Sequence, residues 1–157
     1  MKLKEISIKN YRNFNEECTI KFNDEINFII GENNLGKSNF LILMNKIFNS
    51  KYLTVFGEED FSEPTQPITV KLKIEFNNEE DTGVFGDSFS PDSDVNETII
   101  NLKIEQSLGD ETIFTHLESE KEIRRNEFKK FNLFYINSSE NKNNLIDFTR
   151  CYKLEGY

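Results

Sequence analysis

The hydrophobic pattern of the chain changes its period abruptly around residue 31. Residues 26–30 (INFII) form a short apolar run that stops at Gly31. From Lys37 onward the apolar residues recur at helical spacing, and Asn49 and Ser50 give a stop signal. An apolar run that is closed by a glycine and followed by a helix is typical of a buried, parallel strand. The sequence therefore predicts a strand, a tight turn and a helix in direct succession.

The turn itself matches the P-loop pattern G-x-x-x-x-G-K-[ST], since residues 31–38 read GENNLGKS. Its glycines let the backbone approach a phosphate, and successive N–H groups at a helix N-terminus attract anions. In this pattern the lysine contacts the β- and γ-phosphates and the serine hydroxyl ligates Mg²⁺. The alternative is a glycine-rich turn that matches by chance, but the flanking strand and helix patterns favour a nucleotide site. The predicted ligands of ATP are Gly31, Glu32, Asn33, Asn34, Leu35, Gly36, Lys37 and Ser38, with Ser38 also on Mg²⁺.

Alternating apolar residues predict further strands on both sides of this motif. Ile6 and Ile8 alternate with polar residues, and so do Ile20 and Phe22. After a loop at 51–67, the clearest alternation in the chain runs along 68–76, with five apolar side chains on one face. Alternation returns at 100–104 and at 113–117, with Ile113, Thr115 and Leu117 as its stripe. These last three segments predict an antiparallel meander inserted after the helix.

We therefore predict an α/β fold: the N-terminal lobe of a P-loop NTPase, with an antiparallel β-subdomain and incomplete in this chain. The lobe is a single domain, 1–157. Its P-loop core is 1–50 and its β insertion is 51–118, which contains an acidic loop at 77–97. A return strand and tail follow at 131–157, because 131–136 is rich in Phe, Leu, Tyr and Ile.

The charge distribution limits the partners that the chain can bind. The net charge is −9, and residues 57–122 hold 18 acidic residues against 4 basic ones. This argues against a free-standing nucleic-acid binder, which needs a basic face. No apolar stretch is long enough to cross a membrane, and the first ten residues lack the apolar region of a secretory signal. Because Cys18 and Cys151 fit neither a zinc site nor a disulfide framework, we expect a cytoplasmic protein without a membrane partner.

Two segments together resemble a known family. KEISIKNYRNF at 4–14, followed by INFIIGENNLGKSNFL at 26–41, resembles the N-terminus of ABC-type ATPase heads of the RecF/SMC class. The GENNLGKSN portion is most similar to overcoming-lysogenization-defect (OLD) family ATPases, which include nuclease subunits of bacterial anti-phage systems. The likeness continues more loosely through EEDF at 58–61 and NLFYIN at 132–137. It implies an ATP-binding head that is often fused to a TOPRIM nuclease domain and acts as a dimer on DNA.

The resemblance also implies roles for residues near the P-loop. Arg12 and Asn13 match the segment that approaches the nucleotide, although a surface turn is the alternative for Arg12. Asn33 matches the family's motif asparagine, and Asn39 would either contact the nucleotide or support the loop. Asp60 lies in a loop where DF recurs in relatives and could approach the active site, but as one of three consecutive acids it is more readily a solvated surface residue.

Two further sets of polar residues carry weaker expectations. Asn137 and Ser138 fall where a Q-loop-like contact is expected, without the proline and arginine that relatives often have there. His116, the only histidine, lies opposite the 113–117 stripe. No serine or cysteine is recognisably paired with it in the sequence, so nucleophilic catalysis is not predicted.

The sequence lacks a Walker B strand, since residues 145–147 (LID) do not complete one, and it lacks an LSGGQ-like signature. We therefore expect the front portion of a larger ATPase, such as an ATP-dependent endonuclease, with little hydrolysis from this chain alone. The expected partners are ATP, a second copy of the chain, a C-terminal part or a second subunit, and DNA only through parts absent here. The alternative function is a small standalone nucleotide-binding or regulatory protein without catalysis.

Overall fold

The computed structural model describes residues 2–32, 35–50, 52–76 and 99–124. Predictions for the acidic loop, for the strand at 131–136 and for the tail lie outside these ranges. The elements in chain order are β1 (Lys2–Lys9), β2 (Cys18–Lys21), α1 (Lys37–Asn49), a 3-10 helix (Glu58–Asp60), β3 (Ile68–Glu75), β4 (Ile99–Gln106), β5 (Ile113–His116) and β6 (Lys121–Glu122).

The six strands form one antiparallel sheet in the order β2-β1-β3-β4-β5-β6. Strands β1 and β3 are neighbours although α1 separates them in sequence, and Ile6 lies opposite Leu72, which lies opposite Leu102. Alternate side chains of β3 and β4 are buried, as their sequence pattern predicts, whereas in β1 Ile6, Ser7 and Ile8 are all buried. The predicted antiparallel subdomain is therefore confirmed, and β1 is part of the same sheet.

Helix α1 covers one face of the core. Its buried side chains are Phe40, Leu43, Met44 and Ile47, which lie on a single stripe because they are three or four residues apart. The helix begins after Gly36, whose φ of 93° is left-handed, and the backbone is extended again at Ser50. Both ends agree with the sequence prediction.

The segment that leads into the P-loop differs from its prediction. Residues 26–30 form no strand, and Ile26, Phe28 and Ile30 are 71%, 81% and 90% exposed. The predicted buried parallel strand is therefore wrong for the part of the chain that the structure describes. The physical reason is pairing: a strand buried on both faces needs hydrogen-bonded neighbours, and β1–β6 pair only among themselves.

Strand β5 forms where it was predicted, but with its opposite face inward. Phe114 and His116 are buried, whereas Ile113 and Leu117 are exposed. The register explains this, because Phe114 pairs with Ile104 and His116 with Leu102. The neighbouring strand therefore decides which face of this short strand is buried.

The predicted loop between α1 and β3 folds back onto the sheet. Val55, Phe56 and Phe61 are buried. Gln106, on β4, accepts hydrogen bonds from the backbone N–H of Val55 (3.1 Å) and Phe56 (3.0 Å) and donates to the Phe56 carbonyl (2.8 Å). These bonds satisfy buried backbone groups and fix the position of the 3-10 helix that follows.

Candidate functional site

The P-loop ends at the N-terminus of α1 with features that suit an anion. The first hydrogen bond of the helix runs from the Phe40 N–H to the Gly36 carbonyl (2.8 Å). The helix therefore does not use the N–H groups that come before Phe40 in its first turn. The first turn carries no acidic side chain that would neutralise the positive end of the helix. The backbone therefore presents donors and a favourable dipole at the position the motif predicts.

Lys37 folds back across the loop that it terminates. Its Nζ donates to the Gly31 carbonyl (2.6 Å) and to the Glu32 carbonyl (2.6 Å). An ammonium has three donors, so one remains for a further acceptor in this position. The side chain thus lies over the inside of the loop, where it can meet a phosphate.

The other described motif residues are open to solvent, except Gly36, which is buried against the Asn13 side chain. Gly31, Glu32, Leu35 and Ser38 are exposed, and Asn33 and Asn34 lie outside the described residues. Ser38 stands next to Lys37 on the first turn of α1. A ligand can reach the loop from solvent.

The turn between β1 and β2 packs against this helix start. Arg12 Nη1 donates to Asn39 Oδ1 (3.1 Å), and Asn39 Nδ2 donates to Asn13 Oδ1 (2.8 Å). A Cβ at position 36 would collide with the Asn13 amide, so the turn lies directly against the P-loop glycine. The structure therefore brings Arg12, Asn13 and Asn39 to the P-loop, and Asn39 supports the other two.

Asp60 is the main correction at the site, because the predicted solvated acid is fully buried. Its carboxylate accepts from Arg12 Nε (2.9 Å), from Lys46 Nζ and from the Gly57 N–H (3.0 Å). Burial alone would lower the pKa of Arg12, but the Asp60 hydrogen bond and the charges around it raise that pKa above its usual value. The guanidinium is thus held in its charged form.

Two members of this cluster carry no recognisable signal in the sequence. Lys46 is one polar position among several on α1, and only its proximity to Asp60 gives it significance. The Tyr11 ring is buried and lies 5.5 Å from the Arg12 guanidinium carbon. Burial, and then the charge of Asp60, raise the pKa of the Tyr11 hydroxyl, so it stays neutral. A local signal did exist for the burial of Asp60, since Phe61 follows it directly and Phe56 precedes it in a short loop.

The lone histidine has its own partners. His116 Nδ1 lies 2.7 Å from Ser119 Oγ, and Nε2 lies 3.0 Å from Glu118 Oε2. The structure thus places a serine, Ser119, beside a histidine for which the sequence shows no recognisable partner. Glu118 also accepts from Asn101, so the group joins the turn after β5 to β4. Asn137 and Ser138 lie outside the described residues.

Sequence comparison agrees with the site. Residues 1–154 match the AAA ATPase domain family, and the chain belongs to that family. It is 33% identical over 86 residues to the DNA replication and repair protein RecF of Staphylococcus haemolyticus, a match that covers 45% of this chain and 23% of RecF. The chain therefore matches about a quarter of the length of this relative. The family match and the motif at 31–38 together identify a P-loop ATPase domain.

Solved structures show the same fold. The SMC head domain of Thermotoga maritima superimposes with a TM-score of 0.55 at 20% identity, over 83% of this chain and 41% of that one. An SMC ATPase solved in work on ATP-driven dimerization and DNA-stimulated activation gives a TM-score of 0.54 at 17% identity, over 82% and 75%. The predicted α/β P-loop fold with an antiparallel β-subdomain is therefore confirmed. Among the described residues, no helix is long and apolar enough to cross a membrane.

Proposed function

We propose that this chain is the ATP-binding N-terminal lobe of an OLD-like, DNA-linked ATPase or nuclease of bacterial genome-maintenance or anti-phage defence type. One observation carries the proposal: a P-loop with its lysine folded over the loop, at a helix N-terminus without acidic side chains. The OLD assignment is supported by the GENNLGKSN segment at 31–39. The link to DNA is supported by the likeness to RecF, whose name places it in DNA replication and repair.

The proposed roles follow from the positions of the side chains. Lys37 would exchange one or both of its carbonyl bonds for oxygens of the β- and γ-phosphates, while the first-turn N–H groups bind the same phosphates. Arg12 and Asn13 would approach the nucleotide from the neighbouring turn, and Asn39 would hold both in place.

Mg²⁺ fits this site only together with the phosphates. Ser38 offers one exposed hydroxyl, and no cluster of three or more His, Cys, Asp or Glu side chains in the described ranges could hold a metal ion. Mg²⁺ is commonly bound through few protein ligands, with phosphate oxygens and water completing its octahedron. When bound, the ion would neutralise charge between the β- and γ-phosphates.

Hydrolysis and assembly are expected to need more than this chain. The 157 residues contain no Walker B carboxylate, so we expect steady phosphate release to be close to background. We propose that ATP promotes pairing with a second copy or with a further part of the protein, as ATP drives dimerization of the SMC ATPases. With a net charge of −9, the isolated chain is expected to bind duplex DNA weakly at physiological salt, and we propose that it acts in the cytoplasm.

Calorimetric titration of ATP with Mg²⁺ into the chain tests the binding proposal. Lys37→Ala removes a charge-assisted phosphate contact and should cost about 1.5–3 kcal/mol of binding free energy. The matched control is Lys21→Ala, a lysine on β2 that is 81% exposed along its side chain. The control should bind like the wild type. Equal affinity of wild type and Lys37→Ala would refute a nucleotide site at this loop.

A further inference from the structure

A buried charged cluster lies directly behind the P-loop helix, and Arg12 is the one member of it among the proposed nucleotide contacts. Its centre is Asp60, which is 0% exposed, and its cations are Arg12 from the β1–β2 turn and Lys46 from α1. Burying a carboxylate is costly unless it is paired and hydrogen-bonded. Asp60 meets this requirement only because two separate elements each direct a cation at it.

The backbone of Arg12 is held in an uncommon conformation at this point. Its φ is 49°, in the left-handed region that few non-glycine residues adopt. The Arg12 N–H donates to the Asp60 carbonyl (2.8 Å), and Ser62 Oγ donates to the Arg12 carbonyl. Such a conformation persists where the surroundings over-determine it, and here the residues at 60–62 do so.

The same arginine connects the cluster to the P-loop. Its Nε is taken by Asp60 and its Nη1 reaches Asn39 on the first turn of α1. Asn39 in turn holds Asn13, whose amide lies against Gly36. A continuous line of hydrogen bonds therefore runs from Asp60 to Asn13, and the Asn13 amide packs against the glycine of the phosphate loop.

We propose that Asp60 is a positioning residue for the nucleotide site, which aims the Arg12 guanidinium at the first turn of α1 without touching the nucleotide itself. The proposal rests on the proposed function, since it concerns the affinity of the same loop. The proposal gives different roles to two acidic residues that the sequence does not distinguish. Asp60 affects ATP binding through Arg12, whereas its exposed neighbour Glu58 does not.

The test measures ATP affinity for Asp60→Asn, which keeps the volume of the side chain and one acceptor oxygen. Loss of a charge-assisted hydrogen bond should weaken ATP binding about tenfold. Because the Arg12 and Lys46 side chains are 24% and 25% exposed, both cations can reach water in the variant, and the fold should persist. The control Glu58→Gln removes an exposed acid from the same 3-10 helix and should bind within about twofold of wild type.

A double-mutant cycle separates positioning from general structural support. In an Arg12→Ala background, Asp60→Asn should add less than about a twofold further loss if it acts through the arginine. An equal tenfold loss in both backgrounds would show a merely structural role and overturn the proposal. Circular dichroism and melting curves establish that each variant is folded.

A second variant keeps the proposal testable if Asp60→Asn does not fold. Arg12→Lys preserves the charge but cannot bond Asp60 and Asn39 at once with the planar fork, so its ATP affinity should also fall about tenfold. Wild-type affinity in Arg12→Lys, or in folded Asp60→Asn, would overturn the inference while Lys37→Ala still weakened ATP binding. Failure of the wild type to bind ATP would instead refute the proposed function.

Discussion

Two apolar stretches of this chain share the same side-chain chemistry and have opposite environments. In β1, Ile6 and Ile8 are fully buried, whereas Ile26 and Ile30 ahead of the P-loop are largely exposed. The difference lies in pairing, because β1 runs between β2 and β3 and residues 26–30 pair with none of the described strands. Hydrophobicity thus supplies the tendency to be buried, and a hydrogen-bonded neighbour on each side decides whether burial happens.

The strongest test of this comparison truncates one isoleucine from each stretch. Ile6→Ala removes buried methyl groups from the core and should lower the free energy of unfolding by about 2–5 kcal/mol. Ile30→Ala removes the same atoms from an exposed position and should change it by about 0.5 kcal/mol or less. Chemical denaturation of both variants measures the difference. A large loss for Ile30→Ala would show that residues 26–30 are buried in solution.

A second test asks how firmly the loop over the sheet is held. Gln106→Leu keeps most of the side-chain volume but leaves the buried N–H and carbonyl of Phe56 unpaired, which should cost about 2–3 kcal/mol. The only other glutamine, Gln66, is exposed, so Gln66→Leu is the matched control and should be close to neutral. Similar stabilities of the two variants would mean that the loop is held without Gln106.

The sequence predicts those parts of the fold that depend on neighbours along the chain. The alternation along 68–76 and the helical spacing after Lys37 each fix an element and its buried face. The pairing of β1 with β3 and the inward face of β5 depend on which strand lies alongside, and the local pattern does not encode this. Residues 26–30 also depend on a neighbouring strand: their apolar pattern favours a buried strand, but they pair with none of the described strands and are exposed.

The same division applies to the site. The P-loop is contiguous, so its lysine, serine and glycines are all visible in eight residues. Asp60 pairs with an arginine 48 residues away, and its run of three acids suggests a solvated surface. Burial of this carboxylate follows from tertiary contacts that join the β1–β2 turn, α1 and the 3-10 helix. A run of acidic residues therefore predicts solvent exposure incorrectly when tertiary contacts bury one residue of the run, as they bury Asp60.

A third test compares two glycines with left-handed backbones. Gly36 has φ 93° and lies against the Asn13 amide, whereas Gly109 has φ 85° and no described atom within 4 Å of the place that a Cβ would take. Gly109→Ala should lower the free energy of unfolding by about 1 kcal/mol, because alanine is strained in the left-handed region. Gly36→Ala should lower it by about 1 kcal/mol more, because its Cβ also meets the Asn13 amide. Combining Asn13→Ala with Gly36→Ala should remove the additional cost. Equal losses in the single variants would show that the turn does not press on the P-loop.

The smallest expected effect concerns an exposed ion pair that holds the start of the exposed segment to β1. Asp24 accepts from Lys4 Nζ (2.5 Å) and lies 3.5 Å from Lys2 Nζ, and these contacts lower the pKa of Asp24, with the Lys4 hydrogen bond as the largest cause. A group whose pKa is lower in the folded state stabilises the fold above its unfolded pKa, about 3.9 for aspartate. That contribution is lost as the pH falls through the folded pKa.

Asp24→Asn should therefore melt slightly below wild type at about pH 6, and the two melting curves should converge as the pH falls below the unfolded aspartate pKa of about 3.9 and through the lower folded pKa. The difference at the higher pH should also shrink in about 1 M salt, because both partners face solvent and their attraction is screened. The control Glu25→Gln changes the adjacent exposed acid. A melting difference for Asp24→Asn that persisted unchanged in acid would show that the side chain supports the segment through shape or neutral hydrogen bonds. The tether between β1 and the residues ahead of the P-loop would then be independent of charge.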